Sequence, residues 1–143
     1  MAELYDGLLG REWVDRLGET RVIGVEDILV VSPYNMQVKL LEETLPIGAR
    51  VGTVDRFQGQ EAAAVLVSMA SSSGEQAPRG LTFLFSRNRM NVAISRGKCV
   101  ATVVASPELS AAACGTLEAM RLVNSLCWAE AYASGLATQV ASS

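Results

Sequence analysis

Two polar clusters interrupt an otherwise apolar chain, and both carry residue types that handle phosphate. The first, Thr53-Val-Asp-Arg-Phe-Gln-Gly-Gln-Glu61, follows a β-branched run and precedes the apolar run Ala62 to Ala70. It combines a hydroxyl, carboxylates, amides and glycine, the mix from which a ligand-touching loop is made. The second, Arg87-Asn-Arg-Met-Asn-Val-Ala-Ile-Ser-Arg96, is rich in arginine. Read as a helix over 88–97, it sets Arg89 and Arg96 seven residues apart, so at about 100° per residue they point nearly the same way. Two guanidiniums on one stripe can reach a polyanion, and an arginine aimed at a transferring phosphoryl group stabilises transition-state charge. An ordinary surface salt-bridge stripe is the plain alternative.

Composition narrows the chemistry. The 143 residues suffice for one domain with a real core, and half of them are hydrophobic. Histidine is absent, which removes Ser-His-Asp and Cys-His catalysis. Cys99, Cys114 and Cys127 are odd in number and widely spaced, so no metal site is expected and the thiols are read as reduced. No apolar run is long enough for a membrane span, and the amino-terminal residues lack a signal pattern, so no membrane association and a cytoplasmic location are expected. Net charge is −3, but the segment from Arg56 to Lys98 is +4. One basic region on an acidic body suits a local phosphate contact.

The elements that position the clusters follow from periodicity. Leu4 to Leu17 has helical apolar spacing, and 19–27 reads as a connector. Ile28-Leu-Val-Val31 is a buried parallel strand; Ser32-Pro33-Tyr34-Asn35 closes it, with Ser32 or Asn35 expected to cap a helix over 36–45. Further strands are expected at 50–54, 63–69 and 100–105, a flexible loop at 71–80, and an ambiguous apolar run at 83–85. A helix over 116–132 would share a face among Leu117, Met120, Val123, Leu126 and Cys127. The expected organisation is a helix and connector over 1–26, one domain over 27–134 and a frayed tail over 135–143. Alternating strands and helices define an open parallel α/β sheet, whose ligands sit beyond the carboxyl ends of its strands. Both 32–35 and 55–61 are expected at such ends.

The nucleotide signatures are missing. Neither G-x-x-x-x-G-K-[ST] nor G-x-G-x-x-G occurs, and no acidic pair ends a strand where it could hold Mg²⁺. A self-sufficient small-molecule enzyme is therefore a poor reading.

At this point the residues match a family. Thr53 to Glu61 resembles motif V of superfamily 1 helicases of the Upf/Dna type. Asn88-Arg-Met-Asn-Val-Ala-Ile-Ser-Arg-Gly-Lys98 resembles their motif VI, and Ile28-Leu-Val-Val-Ser-Pro-Tyr-Asn-Met-Gln37 their motif IV region. The resemblance covers about 27–108 and is nearest to the helicase half of bacterial proteins that carry a RecB-like nuclease region in front. It implies a RecA-like, three-layer open parallel sheet with flanking helices, a P-loop NTPase-type domain without its own P-loop. In such proteins ATP lies between two RecA-like domains. This chain looks like the second, and the first would supply the P-loop and hold most of the Mg²⁺.

The same resemblance implies the site. Arg96 would be the arginine finger on the γ-phosphate. Arg89 would line that cleft, Gly59 and Glu61 would approach the nucleotide, and Gln58 would couple it to the nucleic-acid side. Thr53 and Asp55, with Ser32, Pro33 and Tyr34, would form the single-strand track. Single-stranded DNA is the implied partner, with RNA as the alternative, beside the upstream RecA-like domain and a RecB-like nuclease region. Plainer readings stand next to these: Tyr34 packed beside Pro33, Thr53 only a β-former, Glu61 paired with Arg56. Gly97 stands where relatives often have Ala and is expected to loosen the helix end. A non-catalytic scaffold module derived from a helicase is the second reading of the whole.

Overall fold

The computed structural model describes residues 1–69, 87–111 and 113–141. They fall into two compact units. One takes in the described residues of 1–70 and 88–105, the other those of 71–87 and 106–143. The expected loop at 71–80 and the apolar run at 83–85 lie outside the described residues.

The first unit is built on a four-stranded parallel sheet: β3 (Ile28–Val31), β4 (Arg50–Gly52), β5 (Ala62–Ser68) and β6 (Gly97–Val104), in the order β4-β3-β5-β6. Chain order and spatial order differ because β5 pairs with β3 on the side away from β4, and each parallel neighbour is reached by a crossover. The two central strands are apolar but for Ser68 at the end of β5, and every residue of β3 and β5 is buried. Strands covered on both faces require such runs. Their register pairs Ile28 with Ala64 and Val31 with Val67.

One face of the sheet is covered by α2 (Asn35–Thr44), whose Val38 and Leu41, followed by Leu45, pack with Ile28, Val30, Val51 and Leu66. Their i, i+3, i+7 spacing is what turns them inward. Truncating Leu41 to Ala would cost about 2–5 kcal/mol. Neither Ser32 nor Asn35 caps α2. Tyr34 occupies the cap position but its side chain does not cap the helix, Asn35 is already helical, and the Ser32 hydroxyl is buried with no hydrogen-bond partner among the described residues.

The amino-terminal segment departs from expectation. The helix α1 (Ala2–Leu8) is short, and Gly10 at φ +76° stops it. An antiparallel hairpin of β1 (Glu12–Val14) and β2 (Thr20–Val22) follows. The Asp15 carboxylate makes the turn by accepting from the N–H groups of Leu17 (2.8 Å) and Glu19 (3.1 Å), and Gly18 takes φ +81°. The Glu19 N–H, with Arg21 beside it at 3.0 Å, holds the Asp15 carboxyl below its ordinary range. Apolar spacing over Leu8 to Leu17 imitates a helix, but Asp15 and Gly18 are turn residues and win locally. The hairpin's Trp13 packs against the same core as α1, whose Tyr5 is fully buried.

The helix α3 (Arg87–Ile94) ends before Arg96, and Gly97 opens β6 instead of closing a helix. The stripe shared by Arg89 and Arg96 therefore does not form. β6 is half-exposed, not the buried strand expected, because among the described residues it pairs on one side only, with β5. Its register jumps between Ala62↔Gly97 and Ala64↔Val100, a bulge with an extra residue on β6. A Cβ on Gly97 would stand 2.7 Å from the Val100 carbonyl oxygen, so the close approach of this bulge requires glycine there.

In the second unit, α4 (Pro107–Ser110) begins with Pro107 behind a Ser106 cap whose hydroxyl accepts from the Glu108 N–H. The helix α5 (Leu117–Ala141) takes in the described part of the segment expected to be a frayed tail. Among the described residues its buried ones are Ala119, Leu122 and Val123; Leu117 and Met120, expected to share a face with Val123, are exposed.

Candidate functional site

The residues singled out by type separate onto two opposite edges of the parallel sheet. The segment 54–61 leaves the carboxyl end of β4 and returns to the amino end of β5, so it cannot lie wholly at the carboxyl edge as expected. Glu61 enters β5 at its amino end, while Thr53 leaves β4 at its carboxyl end.

At the carboxyl edge, Ser32 and Thr53 end the neighbouring strands β3 and β4, and the Ser32 N–H donates to the Gly52 carbonyl at 3.0 Å. Pro33, Tyr34 and Thr53 are half-buried, and Asp55 is exposed in the 3₁₀ turn Val54–Phe57. Ser32, expected in the single-strand track, is fully buried. Packing around the end of β3 encloses it, a tertiary effect that spacing does not reveal.

At the amino edge, the Ala62 N–H donates to the Arg96 carbonyl at 3.0 Å, which brings Glu61 and Arg96 to adjacent strand entries. The Arg96 backbone is held there and in a bond from its N–H to the Ala93 carbonyl at 3.2 Å. Its side-chain Nε is buried and makes no hydrogen bond among the described residues. Glu61 does not pair with Arg56. Its carboxylate lies 3.7 Å from Lys98 Nζ, and Arg56 turns instead to Glu42 at 3.2 Å and the Val51 carbonyl at 3.0 Å. Gly59 sits at φ +78°, a backbone state that favours glycine, with nothing within 4 Å of an added Cβ. Gln58 and Gly59 are exposed on this return segment.

Three residues at the amino edge carry weight that the sequence did not single out. Lys98 holds Glu61. Arg50, the first residue of β4, donates to the Glu26 carbonyl at 2.7 Å and to the Gln60 side-chain oxygen, and lies over the Phe57 ring at 5.9 Å. Gln60 also donates to the Arg56 carbonyl at 3.3 Å. Arg50 thus pins the return segment next to Glu61. A basic residue opening a strand was the available signal, but nothing local says which loop it meets.

Arg89 belongs with the carboxyl-edge set, not with Arg96. Its guanidinium lies 3.9 Å from the Asp55 carboxylate, an ion pair between side chains 40% and 78% exposed. Among the described residues no three His, Cys, Asp or Glu side chains gather into a metal-binding group. No helix among them is long and apolar enough to cross a membrane.

A parallel sheet of this order, flanked by helices and carrying polar loops on two edges, is that of a RecA-like helicase domain. The family profile described as "AAA domain" matches residues 9–108, and the chain belongs to that family. It is 32% identical over 108 residues to the DNA polymerase alpha-associated DNA helicase A of Schizosaccharomyces pombe, covering 68% of this chain and 16% of that protein. It is 33% identical over 94 residues to the human RNA helicase Mov10l1 (61% and 8%). It is 31% identical over 74 residues to the DNA replication ATP-dependent helicase/nuclease JHS1 of Arabidopsis thaliana (51% and 6%). These matches make the chain a superfamily 1 helicase domain in kind. It spans less than a fifth of the length of each of these relatives.

Proposed function

We propose that this chain is the second motor domain of an ATP-dependent nucleic-acid helicase, with Arg96 as its arginine finger. The observation that carries the reading is the meeting of Glu61 and Arg96 at adjacent strand entries through the Ala62–Arg96 backbone bond. An anchored backbone with a side-chain Nε that finds no partner among the described residues suits an arginine that serves a group outside the domain. The residues fit a nucleotide's chemistry: a carboxylate for a ribose hydroxyl, a guanidinium for a phosphate, and Gly59 where backbone can approach closely.

In this reading ATP with Mg²⁺ supplies the phosphoanhydride and the developing charge, and the upstream RecA-like domain holds the metal. Arg96 neutralises charge on the γ-phosphate across the domain interface. Glu61 exchanges Lys98 for a ribose hydroxyl. Gln58, on the exposed return segment, relays the change toward the carboxyl edge. There Thr53, Tyr34 and Pro33 bear on a single strand, with Asp55 and Arg89 beside them. Single-stranded DNA is the favoured track, given the two relatives named for DNA; RNA is the alternative, given the one named for RNA. The helicase/nuclease name of one relative supports a RecB-like nuclease region in the same protein. A cytoplasmic location completes the reading.

The test is ATP turnover with and without single-stranded DNA, first for this chain alone and then joined to its upstream domain. The reading expects none alone and DNA-stimulated turnover when joined. A folded, joined protein without turnover would favour a scaffold module.

A further inference from the structure

The helix α5 is apolar on two opposite sides. At about 100° per residue, Ala119, Leu122, Val123 and Leu126 occupy one arc of roughly 100°, which is the buried or half-buried side. Leu117, Met120, Trp128 and Tyr132 lie in an arc of roughly 120° centred on the opposite side. All four are exposed, Trp128 by 70% and Tyr132 by 59%, and these two rings are stacked at 5.7 Å with planes 6° apart. A helix apolar on both sides is normally covered on both sides.

We propose that this outer face pairs with the same face of a second copy of the chain, antiparallel. The face is complementary to itself in that orientation. Leu117 and Arg121 stand at one end of the stripe, Trp128 and Tyr132 at the other, with Asn124 and Ser125 between. A two-fold axis between positions 124 and 125 sets Leu117 against Tyr132 and Arg121 against Trp128 of the other copy. The first is an aliphatic–aromatic contact and the second a cation–π contact. Arg121 makes no ion pair among the described residues, so its charge is available for that contact. Parallel pairing would instead oppose Arg121 to its own copy. Small polar residues at the crossing permit close approach, and an isologous contact closes as a dimer. Two aromatic rings with Leu117 and Met120 bury about 1,000 Å² in total, at the low end for a specific interface, so a weak, concentration-dependent dimer is expected.

The test is sedimentation equilibrium of the whole chain from about 1 to 300 µM. A monomer–dimer equilibrium is expected, weakened at least tenfold by Trp128→Glu and by Leu117→Glu. Both positions are exposed, so circular dichroism should be unchanged. Leu40→Glu, on the exposed outer side of α2, is the matched control and should leave association intact. A chain that stays monomeric throughout overturns the proposal and leaves this face to a different partner. Association abolished by Leu40→Glu but not by Trp128→Glu overturns it as well.

Discussion

At the carboxyl edge of the sheet, the residues expected to touch a ligand are drawn inward: Ser32 is fully buried and Pro33, Tyr34 and Thr53 are half-buried. At the amino edge, Arg50, Gln60, Glu61 and Lys98 form a partly exposed charged and polar network, with the Arg96 backbone fixed among them. Parallel strands explain the contrast. The segment after β4 must travel the height of the sheet to enter β5, so it deposits its carboxylate and glycine on the edge opposite its hydroxyl. One continuous motif thereby serves two edges. In the proposed function each edge then answers to a different ligand.

The largest test of the separation is Arg96→Ala in the protein joined to its upstream domain. ATP turnover should fall by about 10³–10⁵, while affinity for single-stranded DNA in the absence of nucleotide stays within about twofold. Steady-state turnover and fluorescence anisotropy read the two edges independently. Equal losses in both would collapse the comparison.

Next in size is Gly97→Ala. The added Cβ would meet the Val100 carbonyl oxygen at 2.7 Å, and a backbone atom in a paired strand cannot swing away as a side chain can. A loss of about 1–3 kcal/mol is expected in urea unfolding of the chain, with the slope unchanged. A neutral result would mean that the bulge at the entry to β6 relaxes freely, and the amino edge would then be less firmly built than its contacts imply.

The sheet itself was legible. Ile28–Val31 and the stretch from Ala62 to Val67 are continuous apolar runs, and only a strand covered on both faces needs one. The resemblance to helicase motifs singled out the two segments whose ends meet where the Ala62 N–H donates to the Arg96 carbonyl. The edge on which each residue falls was not legible, because it depends on strand direction and on a bulge that shifts β6 by one residue. The amino-terminal hairpin was missed because Leu8, Trp13 and Val14 also satisfy helical spacing, and only the turn at Asp15–Gly18 decides the matter. The stripe of Arg89 and Arg96 failed for a similar reason. Three residues at the end of an apparent helix were a turn and a strand start, so the arginines separated to opposite edges.

Ser32→Ala is a smaller and sharper test of the carboxyl edge. The hydroxyl is buried without a hydrogen-bond partner among the described residues, so its removal relieves an unsatisfied polar group. Stability should hold or rise by up to about 1 kcal/mol in thermal or urea unfolding. Single-stranded DNA affinity should not change. A clear loss of affinity would mean that the end of β3 opens when a strand binds, and that the burial belongs only to the unliganded domain.

The smallest effect is expected at the exposed carboxyl-edge pair of Asp55 with Arg89. Its charges lie 3.9 Å apart and Asp55 is 78% exposed, so water and salt screen most of the attraction. Asp55→Ala should change stability by less than about 1 kcal/mol, and any difference from the parent should shrink in molar NaCl. Its functional effect separates two roles for Arg89. If Arg89 serves the nucleic-acid track, removing the competing carboxylate strengthens DNA binding modestly, since a strand phosphate no longer has to displace Asp55. If Arg89 serves the nucleotide, DNA affinity is unchanged and the half-saturating ATP concentration moves instead. Anisotropy titrations and ATP turnover curves on the same variant distinguish them, and the geometry of the pair favours the first outcome.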